Sequence, residues 1–196
     1  MSIEMLRTLV WTDCRLALVF LVFFPFGLLV WAIIENAQPI SRLLVIYWRV
    51  ASLLLITMYL MMAQVPLSFV TLFLALLLVP ASLWFWVDLN EEIDDRRGKL
   101  KLALTSWRWA TTLFCLISAA ALSPSLGCAG SKTAIATDQC QVWLEPAYGF
   151  SSIVHASSGV SRINILATLA LILYGFYFGY FLLFRLSKQG RSATGY

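Results

Sequence analysis

The sequence predicts an all-α fold, a polytopic bundle of about five membrane-spanning helices in a single transmembrane domain over residues 1–196. Three observations predict it. Of the residues, 61% are hydrophobic and only 12% charged, whereas soluble domains run at roughly 45–50% and about 25%. A mean hydropathy of +0.84 excludes a disordered chain, which needs low hydrophobicity to stay unfolded in water. The apolar residues gather in five runs, each near the ~20 residues that a helix rising ~1.5 Å per residue needs to cross a core of roughly 30 Å. These runs are continuous and Leu-rich, unlike the dyad-patterned strands of about ten residues in a membrane barrel.

The first span is expected over Cys14 to Ile34. Before it, Ile3, Leu6, Leu9 and Val10 recur at helical spacing and suggest a short amphipathic helix lying on the membrane surface. A cleaved signal peptide fits poorly, because Glu4 and Asp13 offset Arg7 and Arg15 and the Glu35-Asn36-Ala37-Gln38 stretch offers no small-x-small site. The second and third spans follow over Arg42 to Met62 and Leu67 to Val87, the fourth over Leu102 to Leu122 and the fifth over Ile163 to Phe184. Pro25 and Pro80 should kink the first and third. Gly175 and Gly179 form a Gly-x-x-x-Gly face, and Ala119 to Ala121 crowd the fourth span, both suited to close helix approach.

Lys and Arg accumulate in short cytoplasmic loops, and this sets orientation. Arg42 flanks the start of the second span, Arg96, Arg97, Lys99 and Lys101 follow the third, and Arg185, Lys188 and Arg191 follow the fifth, against Arg162 before it. These place residues 89–101 and the C-terminus in the cytoplasm, and the N-terminus and the 123–162 loop outside. The first span dissents, since Arg7 and Arg15 precede it and only Arg42 follows.

Cys14 and Cys115 fall in or beside apolar spans and read as small hydrophobes. Cys128 and Cys140 share the outside loop with no other cysteine, so a disulfide is expected. Closing that loop would contribute roughly 3 kcal/mol in the chain-entropy model. Zinc would want four ligands, and only His155 stands near. Further along the loop, Trp143, Leu144, Tyr148, Phe150, Ile153 and Val154 suggest an interfacial helix over the outer ends of the spans, or a surface on which another membrane protein docks.

Arg49 and Arg108 lie about seven residues, roughly 10 Å, inside their spans from the cytoplasmic side. A free charge at helix centre costs about 2.5–3.5 kcal/mol on insertion scales, so both are expected to pair with Asp88 and with Glu91 or Glu92, with Glu35 a further candidate. Trp48, Trp84, Trp86, Trp107 and Trp109 interleave with these arginines at the same depth. An aromatic belt meeting the headgroups is the expected reading; a pocket for an anionic headgroup or a quinone carbonyl is the functional one. Asp88, Glu92 and Asp95 share one helical face, yet diphosphate chemistry needs a second facing acidic cluster, so a solvated run offsetting the nearby bases is expected. No span carries a histidine for haem or a Ser-His or Cys-His pair for nucleophilic chemistry. Cofactors, metals and nucleic acid are not expected as partners.

The stretches Tyr47-Trp48-Arg49-Val50-Ala51-Ser52-Leu53-Leu54, Leu83 to Asp95, Ser106-Trp107-Arg108-Trp109-Ala110 and Lys188 to Thr194 carry a family resemblance over nearly the whole chain. The chain resembles an uncharacterised family of cyanobacterial integral membrane proteins (domain of unknown function 3177). The resemblance implies no catalytic residues. It implies a host with thylakoids, and hence a non-enzymatic accessory or assembly protein of the thylakoid or plasma membrane, for photosynthetic complexes, with the bilayer and another integral membrane complex as partners. A transporter of small solutes or lipids, using the Arg and Trp cluster, is the alternative.

Overall fold

Oγ of Ser2 accepts the Met5 N–H at 3.4 Å and Glu4 occupies the first turn, so the first helix starts well before the apolar run. This helix, α1 (Ile3–Ile34), is α-helical over Ile3–Ala17 and Phe24–Ile34, with π-helical turns over Leu18–Phe23 between them. Its 32 residues extend ~48 Å at ~1.5 Å each, well beyond a core of roughly 30 Å. The expected separate surface helix is therefore the projecting first half of α1. Leu6 and Val10 bury there, while Ile3 and Leu9 stay exposed. The structure, a computed structural model, describes residues 2–154 and 160–186. His155, Ser192 and the basic Lys188 and Arg191 lie outside these described residues, as does the side chain of Arg185.

Two turns of one kind reverse the chain. After α1, Asn36 takes φ 52°, Ala37 N–H returns to Ala32 O at 2.8 Å, and Asn36 N–H to Ile33 O at 3.1 Å. After α2 (Gln38–Met62), Gln64 takes φ 54°, with Val65 N–H on Leu60 O and Gln64 N–H on Met61 O. This left-handed cap satisfies the last carbonyls of each helix. Next come α3 (Ser68–Trp84) and α4 (Val87–Asp94), bent 55° from each other. Gly98, at φ 132°, opens α5 (Lys99–Leu122), because few other residues accept that backbone. A 3₁₀ segment (Ser123–Ala129), the single turn α6 (Lys132–Ile135) and α7 (Asp138–Val154) lead to α8 (Val160–Tyr180), which runs on in π-helical turns through Leu186.

The protein is thus an all-α membrane bundle. Among the described residues four helices are long and apolar enough to cross a bilayer, α1, α2, α5 and α8, and the bent pair α3–α4 makes up to a fifth span. Helix α2 lies at the centre, packed on α1, α3, α4, α7 and α8, while α5 packs on α1 and α3. Tyr47, Leu43, Leu44, Phe69, Leu83 and Leu104 are fully buried between them. The turn at Gln64 and α7 share one end, the cap end; the turn at Asn36 and α4 share the other, the charged end.

Two expectations are corrected. The third span does not run straight from 67 to 87, and the break falls after Trp84 rather than at Pro80. Trp86 is extended, which buries its indole edge-on against Phe85 and Phe181. The bend then turns Leu89 and Ile93 of α4 inward, both fully buried, and leaves Glu91, Glu92 and Asp94 exposed. The helix expected in the second half of the 123–162 loop is present as α7. In α7, Trp143 and Leu144 cover the bundle while Ile153 and Val154 stay exposed.

Candidate functional site

Pro25 has no N–H for Leu21 O four residues back, and the Phe24 N–H turns to Val19 O in the π-helical register, so Phe20 O lacks its donor four residues on as well. Unpaired carbonyls are costly in hydrocarbon, and two aromatic side chains supply the bonds. The Tyr47 hydroxyl of α2 donates to Leu21 O at 2.6 Å, and Trp107 Nε1 of α5 donates to Phe20 O at 2.8 Å. Their rings meet edge-on, centroids 5.2 Å apart. Through these carbonyls the proline of the first span ties it to the second and fourth.

The broken third span is held in a similar way. Helix α3 ends without N–H donors for its last carbonyls, and its C-terminus carries partial negative charge. Arg108, only 3% exposed, reaches it from α5. Its Nη2 donates to Leu83 O at 2.6 Å and to Asn90 Oδ1 at 2.8 Å. Asn90 of α4 in turn donates Nδ2 to Trp84 O at 3.2 Å, so one amide clasps both sides of the bend. The Arg108 guanidinium carbon lies 4.0 Å over the Trp84 ring, a cation–π contact. Trp84 Nε1 donates to Thr112 Oγ1 at 2.9 Å, which fixes the indole over the cation. Arg108 Nε is the one donor of this cluster that is buried without a hydrogen-bond partner.

The structure separates what the sequence placed together. Ion pairs among the described residues are Arg7–Glu4, Arg7–Glu145 and Lys101–Asp94, so Arg108 takes neutral acceptors and a helix end in place of the expected carboxylates. Arg49 is exposed on α2, with Ser52 bonded to its carbonyl, and does not join Arg108. Asp88 is half-buried and Glu91 and Glu92 are exposed on α4. Glu35 is exposed and accepts from Trp31 Nε1 at 2.6 Å. The five tryptophans do not form an outward-facing belt: Trp86 and Trp107 are buried, Trp84 lies over Arg108, Trp48 is half-buried, and only Trp109 is exposed. The freed carbonyls and the buried cation draw these indoles inward.

A second cluster, which the sequence reading missed, fixes the cap. Glu145 of α7 accepts from Arg7 Nε at 2.9 Å and from Trp11 Nε1 at 3.2 Å. Gly149 passes so close to α1 that a Cβ there would stand 3.2 Å from the Trp11 ring. Gln64 donates to the Tyr148 hydroxyl at 2.7 Å, and burial pushes that hydroxyl above its ordinary pKa, with the Gln64 bond opposing the shift. Cys128 and Cys140 lie with Cα atoms 5.9 Å apart, within the reach of a disulfide. Deeper in, Asp13 accepts from Ser118 of α5.

Neither the curated proteins nor the solved structures contain a match to the chain. Residues 7–194 match one family along nearly their whole length, and the chain belongs to that family, described as Protein of unknown function (DUF3177).

Proposed function

We propose that the protein is a non-enzymatic accessory or assembly protein of a thylakoid or plasma membrane, docking on a larger integral membrane complex such as a photosynthetic one. The cap carries this reading. Helix α7 is fastened to α1 by Glu145, to the α2–α3 turn by Tyr148 and to the preceding segment by the cysteine pair, so it presents an ordered surface beyond the bundle. The polar side chains that chemistry would need, Arg108 and Asn90, are engaged in holding helix ends. Purification of the tagged full chain in mild detergent should recover stoichiometric amounts of other integral membrane subunits. Recovery of a lone monodisperse protein that moves a solute across a vesicle wall would support the transporter reading instead.

In this reading the cap lies outside, the C-terminus is cytoplasmic and Cys128 and Cys140 are oxidised. An impermeant maleimide applied from outside should label these two residues only after reduction. Labelling without reductant would remove the disulfide, and failure to label after reduction would reverse the orientation.

A further inference from the structure

We draw no further inference here: the strongest candidate, the outward-facing stripe of Asn164, Thr168, Gly175 and Gly179 along the α8 span, is suited to close approach by another helix, but nothing in the structure shows what covers it.

Discussion

Arg108→Leu is expected to lower the unfolding free energy by about 2–4 kcal/mol, whereas Arg49→Leu should change it by less than about 0.5 kcal/mol. The first change leaves Leu83 O and Asn90 Oδ1 without their donor at a buried site, each costing about 1–3 kcal/mol, and deletes a desolvated cation–π contact of about 2 kcal/mol. Relief from burying the cation itself offsets part of the loss. Arg108→Lys keeps the charge but not the planar guanidinium that lies over the Trp84 ring while its Nη2 reaches both acceptors, and should recover less than half of the stability. Arg49 is exposed, so its stem can carry the charge to the membrane surface. Thermal unfolding in detergent checks all three. A wild-type melting temperature for Arg108→Leu, with a cellular defect, would make the cluster a ligand site instead of a cap.

Tyr47→Phe should cost about 1–3 kcal/mol, because Leu21 O then loses its donor in the bundle interior. The same substitution in a Pro25→Ala background should cost less than about 1 kcal/mol, since alanine at that position restores the N–H that proline lacks. The dependence of one penalty on the other background separates a carbonyl cap from ordinary core packing. Equal penalties in both backgrounds would mean that the hydroxyl matters only as filled space.

The spans were legible because composition alone forces them, and the closeness of Cys128 and Cys140 because no other cysteine shares their loop. The break after Trp84 was not. No Gly or Pro marks Phe85 or Trp86, and the inward residues Leu89 and Ile93 stand inside an acidic run that reads as solvated. Arg108 was correctly suspected of needing partners, but reasoning from formal charge points to Asp88 and passes over Asn90 and a backbone carbonyl. In sequence Pro25 reads only as a kink; the π-helical register that frees Phe20 O, and the donors that reach Phe20 O and Leu21 O, depend on which faces of α2 and α5 turn inward. For Arg49 a signal existed. It lies two residues, ~200°, round α2 from Tyr47, so burying the tyrosine exposes the arginine. Glu145 gave none, since its partners Arg7 and Trp11 come from the far end of the chain.

Whether the buried polar groups hold the broken helices is tested most directly by a double-mutant cycle on Arg108→Leu and Asn90→Leu, read by unfolding of the full chain in detergent. If the two side chains jointly clasp the bend, each single change is costly and the pair costs less than their sum, with a coupling of about 1–3 kcal/mol. Penalties that add to within about 0.3–0.5 kcal/mol would contradict it, because Arg108 and Asn90 would then act independently of each other.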